Sequence, residues 1–85
     1  MGLALRPLSR DERAQARIDH GLLVQGVQGA AARAGLTQGD VVMAINGQPV
    51  DQIDALRRVL STQPRSVALL IWRSGERLFV PVPLG

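Results

Sequence analysis

The stretch GLTQGDVVMAINGQPV, from Gly35 to Val50, decides how this 85-residue chain folds. Gly35 and Gly39 stand where a chain needs positive φ, and Asp40 can cap its own backbone, so the apolar run Val41 to Ile45 starts from a defined register. Five apolar residues between two turn signals make a buried strand. Asn46-Gly47 is the dipeptide that most readily takes the two left-handed positions of a type I′ turn, and Pro49 prevents a central strand from continuing. The order is turn, strand, turn.

Upstream, Gly2 to Leu8 alternates weakly, with Leu3 and Leu5 on one face, and Pro7 confines it to a sheet edge. Ser9-Arg10-Asp11-Glu12 fits a capping box, which predicts a short, surface-lying helix ending near Asp19-His20-Gly21. Leu22 to Val27 is a second strand, in which Gly26 marks a bulge or a close backbone approach. Gly29 to Gly35 holds small helix formers ended by glycine, giving one or two tightly packed helical turns. Downstream, apolar residues at Ile53, Leu56, Val59 and Leu60 have the spacing of an amphipathic helix over Asp51 to Leu60, with Asp51 as N-cap. Val67 to Arg73 and Leu78 to Val82 flank Ser74-Gly75-Glu76 and read as a hairpin. Five strands and two substantial helices in one domain spanning residues 1–85 give an α+β fold, a small, partly open barrel or sandwich capped by helices.

Composition removes several classes of function. The chain has no cysteine, so neither a disulfide nor a thiolate metal site is available, and the redox compartment is left open. Its net charge of +3 comes from ten arginines and no lysine against seven acids. The arginines are dispersed, and one Phe with one Trp offers no stacking platform, which argues against nucleic acid. The apolar runs fall far short of a bilayer span, and the N-terminus lacks a charged-then-apolar signal pattern. Starting in strand-like sequence and stopping at a strand end, the chain is expected to be a domain excised from a larger protein.

The pattern A-A-x-A-G-L-x-x-G-D-V-V-x-x-I-N-G-x-P-V, within residues 30–50, closely resembles the core signature of PDZ domains in the form found in bacterial HtrA/DegP-type (protease Do) serine proteases. The likeness extends from Gly2 to Leu84, and the strand order suits the circularly permuted arrangement of the bacterial domains. The ending Phe79 to Gly85 looks like the close of the last, C-terminal PDZ module of such enzymes. The resemblance implies a periplasmic or cell-envelope parent engaged in protein quality control.

Catalysis is not expected. His20 is the only histidine, Ser9 looks like a cap, Ser74 belongs to a turn, and no G-x-S-x-G elbow is present. Asp11, Asp19, Asp40, Asp51 and Asp54 lack the spacing of a metal shell and read as solvated caps and turns, so neither a metal nor a cofactor is expected.

The resemblance instead implies a groove between the edge strand 3–8 and the helix 51–60, where an extended peptide adds as a further strand. In PDZ domains the loop entering that strand has the form Φ-G-Φ, whose backbone N–H groups capture a ligand's terminal carboxylate. The matching residues are Met1, Gly2 and Leu3, with Ala4 and Leu5 continuing the strand. Gln52, Leu56 and Val59 share one helical stripe and are assigned to the groove, while Ile53 and Leu60 share the other. Gln52 lies near the place where a histidine selects hydroxyl-bearing ligands in some PDZ domains, so a small or aliphatic C-terminal residue is the expected ligand end. Two roles remain open. One is a peptide-binding module for hydrophobic C-termini or extended unfolded segments, working with the parent's other domains. The other is an assembly module that holds protease protomers together with little peptide binding.

Overall fold

In the computed structural model, which describes residues 1–84, the run Val41–Ile45 is a strand in which every residue is buried. It is the third strand, β3, and lies at the centre of one antiparallel sheet with β1 (Leu3–Pro7), β2 (Leu22–Val27), β5 (Ser66–Arg73) and β6 (Glu76–Pro83) in the order β1-β2-β3-β5-β6. A two-residue strand, β4 (Gln48–Pro49), folds back on β3 through Asn46-Gly47, whose φ values of 49° and 81° are those of the expected left-handed turn. Three helices interrupt the strands: α1 (Arg10–Ala16), α2 (Gly29–Arg33) and α3 (Ile53–Leu60).

A central strand must be apolar on both faces, and β3 feeds two clusters. Val42 and Ile45 join Leu22, Val24, Leu69 and Ile71 in the main core, roofed by Leu56 of α3. Val41 and Met43 join Ile18 in a smaller cluster on the opposite face, against Leu8, Leu70 and Trp72. Strict alternation would not put Val42 and Ile45 on one face. The register shift between Val42 and Ala44 against β5 supplies the missing residue. A second bulge, where Ala4 pairs with Gly26 but Leu5 pairs with Val24, occurs at the glycine that marked it in the sequence.

The α+β class and the partly open sheet are as expected, with three adjustments. There are six strands and three helices among the described residues, because the arm after Asn46-Gly47 pairs and the segment after Ser9 is a full helix. The first helix stops at Ala16, not near Gly21, with Arg17 in the left-handed region at φ 58°. Burial of Ile18 in the smaller cluster, at 6% exposure, turns the chain inward there. The third helix starts at Ile53, so Asp51 is not its cap. Val50 is fully buried and its N–H is held by the Met43 carbonyl (3.0 Å), which leaves Asp51 in an exposed bend and Gln52 before the first turn without a side-chain cap bond. Gly85, the last residue of the expected domain, lies outside the described residues.

Candidate functional site

β1 is an edge strand, and α3 packs beside its open side. Which backbone groups of β1 are open follows from its pairing. Leu8 N–H donates to the Gly21 carbonyl (3.3 Å) and Gln28 N–H donates to the Gly2 carbonyl (2.8 Å), so the even-numbered residues face β2. Leu3, Leu5 and Pro7 therefore turn their backbone groups outward. The side chains of Leu3 and Leu5 are half-buried against the main core.

The entry to β1 is fastened from behind. Met1 carbonyl accepts from Ala31 N–H (3.0 Å) of α2, and Gly2 carbonyl accepts from Gln28 N–H. In a trans peptide the N–H points opposite to the C=O, so the N–H groups of Gly2 and Leu3 both point away from α2 and β2. Two successive donors directed the same way make an anion-binding concavity. Gly2 has φ 91°, and a Cβ there would collide with the Gln28 carbonyl oxygen. Only glycine allows the loop to sit this close to Gln28.

Clefts open at both ends of the β1 and α3 seam. The first, of about 770 Å³, is lined by Met1, Gly2, Leu60, Arg65 and Leu84 among others. Arg65 is its one charged side chain. The second, of about 460 Å³, lies at the far end, where Pro7 and Leu8 meet Gln52 and Ile53, with Asp51, Asp54, Arg13 and His20 around it. The seam thus has a cationic end beside the loop donors and an end of mixed charge beyond β1.

Met1, Gly2, Leu3 and Leu5 fall on the loop and the open edge. Ala4 turns its backbone to β2, and its side chain lies on the face of the Gly26 bulge. Gln52, just before α3, borders the second cleft; on α3, Leu56 is 4% exposed and belongs to the core, and Val59 packs on the core without lining either cleft. The apolar helix residues that reach the clefts are Ile53 and Leu60, the stripe not assigned to the groove from the sequence. Leu56 has apolar neighbours on both flanks, Val59 on one and Ile53 with Leu60 on the other, and the choice between them depends on where β1 passes. Arg65 was missed because it lies in a loop with no local pattern.

An ion pair fixes the far end of β1. Arg6 donates from Nη1 and Nη2 to the two oxygens of Glu12 (both 2.7 Å), and Glu12 closes the capping box with Ser9, accepting from its N–H (2.8 Å) while Ser9 Oγ accepts from Glu12 N–H (3.1 Å). The Arg6 hydrogen bonds, helped by the Ser9 N–H, hold the Glu12 carboxyl at about 2, and Glu12 in turn raises the Arg6 guanidinium. Asp40 is not the solvated residue expected from the sequence; it is 1% exposed. Burial alone would raise its pKa, but hydrogen bonds from Arg73 and from Thr37 outweigh burial and leave it below the usual carboxylate range. Among the described residues no group of three or more His, Cys, Asp or Glu could hold a metal, and no helix is long and apolar enough to cross a membrane.

The PDZ domain family model matches residues 24–73. Among curated proteins, a probable periplasmic serine endoprotease DegP-like from Halomonas elongata is 35% identical over 88 residues, covering 99% of this chain and 18% of that protein. The chain therefore spans under a fifth of that relative's length. Among solved structures, the HtrA3 PDZ domain bound to a phage-derived ligand (FGRWV) superposes with a TM-score of 0.84 at 20% identity, covering 98% of this chain and 81% of that one. The HtrA-type protease AlgW with a decapeptide gives a TM-score of 0.79 at 26% identity, covering 99% of this chain and 28% of that one.

Proposed function

The chain belongs to the PDZ domain family, a family of binding modules, and on that premise we propose that it captures hydrophobic peptide C-termini by strand addition to β1. The parent is then a periplasmic serine endoprotease of the DegP type, in which this domain is the C-terminal, non-catalytic PDZ module that recruits unfolded or exposed chain ends. One observation carries the reading: the carbonyls of Met1 and Gly2 are tied to α2 and the loop before it, so the N–H groups of Gly2 and Leu3 face outward beside a cleft whose one charged side chain is Arg65. A terminal carboxylate suits two aligned N–H donors and a guanidinium. Leu3, Leu5, Ile53 and Leu60 then line the path of the ligand's apolar side chains. Titration calorimetry with one hydrophobic peptide as free acid and as C-terminal amide tests this. Binding of the acid, with loss of at least tenfold for the amide, is the expected result; equal affinities contradict carboxylate capture.

A second reading, an assembly role, rests on Phe79, which is 77% exposed on the outer edge strand β6, at the end of the sheet opposite the groove. An aromatic side chain this exposed suits contact with the parent's other domains or a second protomer. Sedimentation of the domain with and without Phe79→Ser distinguishes the two: an oligomer that this substitution dissolves supports assembly, and a monomer at all concentrations opposes it.

A further inference from the structure

The open edge of β1 is short, and its end is closed by the protein itself. Of the three residues whose backbone faces outward, Leu3 and Leu5 each present an N–H and a carbonyl. Pro7 has no N–H to give. Its carbonyl is already engaged, accepting from Nη1 of Arg6 at 3.1 Å. That guanidinium is itself held by both oxygens of Glu12 on the first turn of α1, so it swings aside only by breaking two charge-assisted hydrogen bonds. Beyond Pro7, Leu8 gives its N–H to Gly21 on the β2 side and Ser9 starts the helix, so no further edge group follows.

We infer that Pro7 and the Arg6–Glu12 clamp act as a register stop, which limits strand addition to Leu3 and Leu5, so that ligand residues upstream of about the last four add nothing to affinity. The inference rests on the peptide-binding reading above and narrows its ligand class. Edge residues recur every second position, so a ligand whose last residue lies beside Leu3 has its third-from-last beside Leu5 and its fifth-from-last beside Pro7. No backbone bond forms at that last place. Residues further upstream leave the sheet near the second cleft, where Asp51, Asp54 and Arg13 offer only exposed side-chain contacts.

The test is a comparison of an acetylated tetrapeptide and an octapeptide that share a hydrophobic free C-terminus, the octapeptide having alanine at all four upstream positions. The two are expected to bind within about twofold of each other. N-methylation of the third-from-last amide is expected to weaken both at least tenfold, and N-methylation of the fifth-from-last to leave the octapeptide unchanged. In Pro7→Ala, which restores an N–H at the exposed edge, the octapeptide and the acetylated tetrapeptide, whose acetyl carbonyl takes the fifth-from-last place, are both expected to gain about two- to tenfold, the worth of one added hydrogen bond, while an acetylated tripeptide with the same C-terminus is unchanged. An octapeptide that binds the unaltered domain more than tenfold tighter, and loses that gain on methylation at the fifth position, overturns the register stop and leaves peptide binding intact. Failure of every free-acid peptide to bind overturns the peptide-binding reading, and the register stop with it.

Discussion

Arg73, near the end of β5, reaches back to Asp40 at the start of β3, donating from Nε to Oδ1 (2.8 Å) and from Nη2 to Oδ2 (2.7 Å), and the same Nη2 donates to the Gly35 carbonyl (3.0 Å). The turn that sets the register of the central strand is thus held by the hairpin strand beside it. Asp40 also accepts from the N–H and hydroxyl of Thr37, so its four hydrogen bonds lock the Gly35 to Gly39 turn from inside. Asp40→Ala is expected to cost about 2 kcal/mol in urea denaturation, because it strips partners from donors in a largely buried site. A cost below about 0.5 kcal/mol, the range of ordinary surface substitutions, contradicts this role.

Acid is expected to release α1 before the rest of the domain. The folded Glu12 carboxyl sits at about 2, below its ordinary value of 4.5, so its contribution is complete above 4.5 and is lost as pH falls through about 2. Helix α1 contains no buried residue, so its loss leaves the main core in place. Amide exchange or NMR shifts followed from pH 5 to pH 2 should show Arg10 to Ala16 changing while β3 and β5 stay protected. Asp40, also lowered, adds an acid-dependent loss of global stability in the same direction. Loss of α1 on raising the pH is the opposite sign and contradicts the assignment.

Gly2→Ala is expected to displace the entry loop, since the new Cβ meets the Gln28 carbonyl oxygen and the backbone is at φ 91°. Peptide affinity should fall more than tenfold with the core intact, as read by calorimetry alongside thermal unfolding. Wild-type affinity in Gly2→Ala contradicts the loop's role.

Arg65→Gln is expected to weaken a free-acid peptide about two- to fivefold, the effect of one exposed charge, and to leave the weak binding of the amide unchanged. The loss should shrink in high salt, because exposed charges are screened. An equal loss for acid and amide points to packing and contradicts charge recognition.

What could be read from the sequence divides by range. Gly35, Gly39, Asn46-Gly47 and the Ser9 capping box act within a few residues, and each is found where the sequence places it. The Arg73 to Asp40 pair spans 33 positions and has no local sign, so Asp40 looked like a solvated turn residue. The helix start slipped from Asp51 to Ile53 because the buried Val50 keeps its bond to Met43, a tertiary demand that outweighs a favourable cap. Met1-Gly2-Leu3 could be placed from the Φ-G-Φ pattern and its glycine. Arg65, Ile53 and Leu60 could not, since their place beside β1 depends on how α3 is rotated over the sheet.

The most direct test of the central claim is an amide-resolved NMR titration with a hydrophobic peptide bearing either a free or an amidated C-terminus. Shifts at Gly2, Leu3 and Leu5 together with Ile53 to Leu60, produced by the free acid and not by the amide, are predicted. Shifts that are the same for both forms, or that fall on Phe79 and the outer edge of β6 while β1 stays still, contradict the groove as the site of carboxylate-dependent capture.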